Sequence, residues 1–157
     1  MDLFGALGAL AIILVVVAVA AYVVVALSFV RVLKIYNYEN AWLGWIPYIQ
    51  YYALADAAAE GKNKMKLFNW DIPAVVFRVW WLLPIAIAWF MPNFAIIGTI
   101  VQIVALGTVF GHIYARIENK NYADTKWFGL LSGWLSIIAV IKFLMYNKDL
   151  RVVTQKN

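Results

Sequence analysis

Leu3 to Val30 is a run of 28 residues without a charge, LFGALGALAIILVVVAVAAYVVVALSFV. Away from water a lone segment must satisfy its own backbone hydrogen bonds, which only a helix does, and ~20 apolar residues are enough to span a bilayer. This run therefore predicts a transmembrane helix over residues 3–30, tilted or protruding because of its length and closed by the positive charges of Arg31 and Lys34. Ala18-Val19-Ala20 imitates a signal-peptide cleavage site. Asp2, however, stands where such a peptide carries basic residues, so the expectation is a retained span.

The remaining chain follows the same logic. Hydrophobic residues make up 66% of the 157 and charged residues 13%, against roughly 45–50% and about 25% in soluble domains. A soluble fold of this size leaves too much surface wet to hide that excess, whereas lipid accepts it. Eight tryptophans and a 17% aromatic share fit rings anchored at membrane interfaces. The net charge of +5 does not point to nucleic acid, because the lysines and arginines lie in short loops between apolar runs. There they orient the chain and meet anionic headgroups. With no cysteine, no phosphate-binding glycine loop, no zinc-ligand cluster and no paired acidic site, no metal or cofactor is expected.

Three further runs read as candidate spans: 72–90, with Pro73 in its first turn and a kink at Pro84; 94–114; and 127–146. RIENKNYADTK, 116–126, reads as a polar loop in which Glu118 and Asp124 are solvated, and 147–157 as a wet tail. The stretch AWLGWIPYIQYYALAD, 41–56, is harder. Pro47 suits only the first turn of a helix, so a helix here starts near Ile46 and ends near Glu60, before Gly61. At 1.5 Å per residue it measures roughly 21 Å, short of the ~30 Å hydrocarbon core. Gln50, Asp56 and Glu60 share one side of it.

Charge placement decides between crossing and returning. If 42–60 crosses, five basic residues lie on one side and six on the other, with no bias. If it does not cross and the last run does, eight lie together against three in the tail, as expected of cytoplasmic loops. The expected architecture is all-α: a polytopic helical membrane protein, 1–157, with three or four true spans, a re-entrant or interfacial element at 42–60, and the amino terminus outside. Asn121-Tyr122 before Trp127-Phe128-Gly129 echoes Asn37-Tyr38 before Trp42-Leu43-Gly44, and a structural echo would turn 127–146 back as well.

Polar groups inside the membrane are costly and each invites a role. Arg78 and Lys142 can snorkel to the headgroups, or one of them can pair with Asp56 and lock the short helix against a span. Gln102 and His112 share a stripe with Gly98, Ala105, Thr108 and Ala115, suited either to close helix packing or to a polar track. Gly107 with Gly111, and Gly129 with Gly133, each form a GxxxG packing motif. Ser132 and Ser136 lie one turn apart and suit hydrogen bonds across a helix contact. Ser132 with His112 would suggest a protease dyad, but the spacing is GxxSG where rhomboid-type enzymes have GxSG.

NYENAWLGWIPYIQYYALAD and the later YARIENKNYADTKWFGLLSG resemble a group of small bacterial membrane proteins of unknown function. These carry a tryptophan followed by Ile-Pro before a short helix. The resemblance covers residues 32–146 and implies a bacterial cytoplasmic membrane location without an assigned activity. The residues themselves favour a non-enzymatic accessory, regulatory or immunity-type subunit in the lipid bilayer. It would bind another membrane protein, or copies of itself, through small-residue helix faces. The alternative is a small oligomeric channel or transporter with Gln102, His112 and Asp56 near its path.

Overall fold

The structure is a computed structural model that describes residues 3–152, with side chains left undescribed at 3–5 and at Pro92. Asp2, which argued against a signal peptide, and Lys156, which entered the charge count, lie outside the described residues with the rest of the tail past Val152.

Helix α1 runs Leu3–Ile35, about 50 Å at 1.5 Å per residue. It ends because Asn37 turns left-handed, φ 51°, and the Tyr38 amide donates back to the Leu33 carbonyl at 2.9 Å. Asparagine tolerates that conformation and the bond satisfies a carbonyl left open by the last turn. The other long helix, α5 (Ala95–Ile117), ends by the same device. Asn119 has φ 52° and the Lys120 amide reaches the Ala115 carbonyl at 2.7 Å. Only α1 and α5 are single helices long and apolar enough to cross a membrane among the described residues.

After each long helix the chain folds into a hairpin that returns to the end it left. In the first, a 3-10 turn (Ala41–Trp45) runs back along α1. Gly44 sits so close that an added Cβ would lie 2.7 Å from the Val30 side chain, and the Tyr22 hydroxyl donates to the Trp45 carbonyl. Tyr22 lies roughly 20 Å above Ile35 along the helix. Helix α2 (Ile49–Ala59) then descends until Asp56 accepts a 2.9 Å hydrogen bond from Tyr38, beside the starting point. The helix starts at Ile49 rather than near Ile46 because a residue before proline is pushed out of the helical region. Ile46 is accordingly extended, φ −96°, ψ 118°.

The second hairpin is α6 (Tyr122–Trp134) and α7 (Ser136–Met145). The 127–146 run is therefore two helices bent by 119° rather than one continuous helix. Leu135, φ −108°, ψ 80°, leaves the helical region between them. Helix α6 runs antiparallel to α5, with Thr125 bonded to the Gly111 carbonyl at 2.8 Å and Gly133 against the Ile103 carbonyl. Helix α7 returns, and Phe143 fills the centre of the molecule between Phe29, Phe110 and Tyr114.

Between the hairpins the 72–90 run is also not one helix. Ile72 and Pro73 end a strand, followed by α3 (Ala74–Val79) and α4 (Leu82–Phe90). Pro84 has no N–H for the Trp80 carbonyl, which instead takes a tighter bond from Leu83 at 3.1 Å. The basic segment 62–71, expected as loop, forms an antiparallel hairpin of β1 (Lys64–Leu67) and β2 (Trp70–Pro73). The fold is thus mostly helical rather than wholly so.

Candidate functional site

The polar chemistry gathers where α1 and α5 end and both hairpins close. Three carboxylates hold it together. Asp56 on α2 binds Arg78 of α3 at 2.7 Å while accepting from Tyr38. Glu60, at the end of α2, takes the Arg116 guanidinium of α5 at 2.6 Å. Glu118, just past α5, binds Lys142 of α7 at 2.6 Å and accepts from Tyr146 and Lys120, both at 2.8 Å. Each pair joins two segments that the chain brings together only on folding.

Of the two basic partners the sequence allowed for Asp56, the structure uses Arg78. Lys142 goes to Glu118 and lies over the faces of Tyr114 and Phe128, 4.2 and 4.3 Å from their centroids. Neither side chain snorkels freely. Glu118 is a correction to the solvated-loop expectation, since its side chain is only 19% exposed. The polar side of α2 likewise faces inward: Gln50 is buried, while Tyr48 and Tyr52 are exposed.

The glycines meet each other. A Cβ on Gly129 would lie 2.4 Å from the Gly107 carbonyl oxygen and 2.6 Å from the Gly111 Cα. A Cβ on Gly133 would lie 2.6 Å from the Gly107 amide nitrogen. Both GxxxG motifs are therefore engaged within one copy, with the α5 and α6 backbones in direct contact. Ser132 belongs to the same seam, accepting from Tyr114 at 2.9 Å and donating to the Phe128 carbonyl at 2.9 Å. Ser136 is exposed at the start of α7.

His112 is elsewhere. Its ring stacks on Tyr122, 4.0 Å between centroids, and its Nε2 is 2.8 Å from the Lys66 carbonyl, so it pins the β-hairpin to α5. No hydrogen bond joins it to Ser132. Gln102 is exposed on α5, and Gln102, His112 and Asp56 do not converge.

Two cavities flank the carboxylates. One, about 460 Å³, lies between the β-hairpin, the end of α2 and the α5–α6 connection; Lys62, Lys64, Lys66, Arg116 and Lys120 face Glu60 and Asp71 across it, with His112 in its wall. The other, about 450 Å³, is lined by Tyr36, Tyr38, Glu39, Asp56 and Glu60. Of these charges, only Asp56 could be given a partner from sequence. The alternation in Lys64-Met65-Lys66-Leu67, basic out and apolar in, was the available signal for the strand that walls the first cavity.

Burial alone would push the Glu118 carboxyl up, but hydrogen bonds from Lys120, Lys142 and Tyr146 outweigh it and hold it at about 2. A carboxylate depressed on folding adds stability above its ordinary value, 4.5, and loses it as pH falls through about 2. Melting in detergent should therefore drop between pH 4.5 and 2. Glu118→Gln should melt lower at pH 7 and show a flatter decline across that window; parallel curves for the two proteins would contradict the assignment.

By fold this is a mostly helical protein with two helices suited to crossing a membrane. Comparison with protein-family models, curated proteins and solved structures finds no match for the chain.

Proposed function

We propose that this is a multi-pass protein of the bacterial cytoplasmic membrane in which α1, α3–α4 and α5 cross and the two helical hairpins dip in and return. The amino terminus faces outside and the charged end faces the cytoplasm. Charge placement supports this reading. The ion pairs, the bond from the Val152 amide to the Ile35 carbonyl at 2.9 Å, and the bond from Arg31 to the Leu144 carbonyl at 2.7 Å gather the described charges at one end. The tail then joins the other basic segments, and the bias is sharper than eight against three.

Within that membrane frame, the protein is a non-enzymatic accessory, regulatory or immunity-type subunit. The observation that carries this is the bare amino-terminal half of α1. Only 6% of its most apolar window is buried, against 50% for α5, and Leu7, Leu10, Ile13 and Val16 are each more than half exposed. With the GxxxG faces engaged internally, α1 is the long helix left to pack on another membrane protein or a second copy.

The chain has no cysteine, so single cysteines test both parts. Cysteines at positions 64 and 148 should label from the cytoplasmic side only; labelling of either from outside intact cells overturns the topology. Cysteines placed along 7–21 should cross-link to a partner with helical periodicity, about every 3.6 residues. Uniform absence of adducts, with a monomer in mild detergent, overturns the subunit reading.

A further inference from the structure

We infer that the 460 Å³ cavity between the β-hairpin, α2 and the α5–α6 connection binds a phosphate group, carried by an anionic lipid headgroup or free in solution. The volume is within the roughly 300–1,000 Å³ of small-ligand pockets. Its charge is unbalanced: five basic side chains line it against two carboxylates, and with Lys120 held by Glu118 at 2.8 Å four still face two. Arg116 and Lys62 already share Glu60, and Lys66 reaches Asp71 only at 3.6 Å with both side chains more than half exposed. Lys64 has no ion-pair partner among the described residues. An oxyanion held between Lys62, Lys64 and Lys66 gains charge-assisted hydrogen bonds without stripping a tight internal pair.

The walls are held in place rather than loose. His112 fixes the β1 strand through the Lys66 carbonyl at 2.8 Å, and Arg116 is fixed by Glu60 at 2.6 Å. The β-hairpin that walls the cavity carries an aromatic edge at its turn: Phe68 packs on Trp127 at 5.7 Å, Lys126 lies over Trp127, and Trp70 is 73% exposed. Such rings favour the headgroup level of a bilayer. In the proposed topology the cavity therefore opens at the depth of the cytoplasmic-leaflet phosphates, where basic pockets between helices take anionic headgroups. The lipid source depends on that topology; binding of free phosphate does not.

The test uses the full chain, purified in mild detergent, and two probes. Protein equilibrated with equal phosphatidylglycerol and phosphatidylcholine is scored for retained lipid, and inorganic phosphate is titrated separately against the detergent-solubilised protein. Each basic group near an anionic surface is worth about fivefold in affinity. Lys62→Gln/Lys64→Gln/Lys66→Gln should therefore lose about tenfold or more. Lys34→Gln/Lys148→Gln/Arg151→Gln removes the same charge from the same end, outside the cavity; it should lose several-fold less lipid selectivity than the cavity triple and stay within about twofold of the parent for inorganic phosphate. Cavity-specific loss of phosphatidylglycerol selectivity alone assigns the headgroup; cavity-specific loss of phosphate binding alone assigns the free anion; loss of both means either source is accepted. Equal loss in both triple variants, or none in the cavity triple, overturns the site. If the cavity triple does not fold, Lys64→Gln alone, at an exposed position, should still lose about fivefold, and no loss overturns the site.

Discussion

Replacing Gly129 by leucine is expected to dismantle the α5–α6 seam. The first atom of any side chain there would stand 2.4 Å from the Gly107 carbonyl oxygen and 2.6 Å from the Gly111 backbone. These are main-chain atoms of α5, so no rotamer change relieves the overlap. Overpacking a core normally costs about 1–3 kcal/mol because side chains yield. Here the helices must separate, which also breaks the Thr125 bond to Gly111 and the Tyr114–Ser132 bond. A loss of at least about 3 kcal/mol follows, read as aggregation on extraction or a much lower melting temperature in detergent. Gly8→Leu, where nothing lies within 4 Å of the added Cβ, should leave melting unchanged. A Gly129→Leu protein as stable as the parent would show that the α5–α6 contact is not the one described.

The features legible in the sequence were those with a strong one-dimensional signature. The uncharged run of α1, the apolar α5 and the GxxxG pairs each follow from composition or spacing along one helix. What was not legible depends on a missing signal or on distance along the chain. The bend between α6 and α7 falls at Leu135, which is neither glycine nor proline, so the run read as one helix. The β-hairpin turn puts Phe68 at φ 55°, a place where glycine would have announced the turn. The 72–90 run read as a single helix because Pro84 was weighed as a kink, while its lost hydrogen bond divides the segment near Trp80. The Glu118 cluster joins residues from α5 and α7 that no local pattern connects.

The candidate site was legible in its parts and not in its assembly. His112 stood out as the only histidine, but its partner is a backbone carbonyl on a strand the sequence did not reveal. The two echoing motifs, Asn37-Tyr38 and Asn121-Tyr122, do correspond to a shared arrangement. Each lies at the end of a long helix closed by a left-handed asparagine, Asn37 itself in the first case and Asn119 in the second, and each opens a segment that runs back along that helix with a glycine against it. Gly44 meets Val30, and Gly129 meets Gly107 and Gly111. Close approach of backbone to backbone is what lets a returning segment pack against its helix without a gap between them.

Reversing the charge at position 56 should then loosen the first hairpin as a unit. Asp56 and Arg78 meet at 2.7 Å, with side chains 28% and 26% exposed. The Arg78 Nε has no protein partner, so Asp56 is the acceptor that balances this guanidinium. Breaking a fully buried pair costs about 3–5 kcal/mol, and partial exposure brings the figure to about 2–3 here. Asp56→Lys would face Arg78 with a like charge and leave the Tyr38 hydroxyl without its acceptor, releasing α2 from both α3 and the end of α1. The expected result is a lower melting temperature and faster proteolysis within 37–61, with α5–α6 still protected. Adding Arg78→Glu restores an opposite-charge pair in the same place and should recover about half of the loss or more; the remainder reflects Tyr38 and the changed reach of the side chains. A double variant no more stable than Asp56→Lys alone would mean that α2 is held by apolar packing of Ala53, Leu54 and Ala57, and that the ion pair does not lock it.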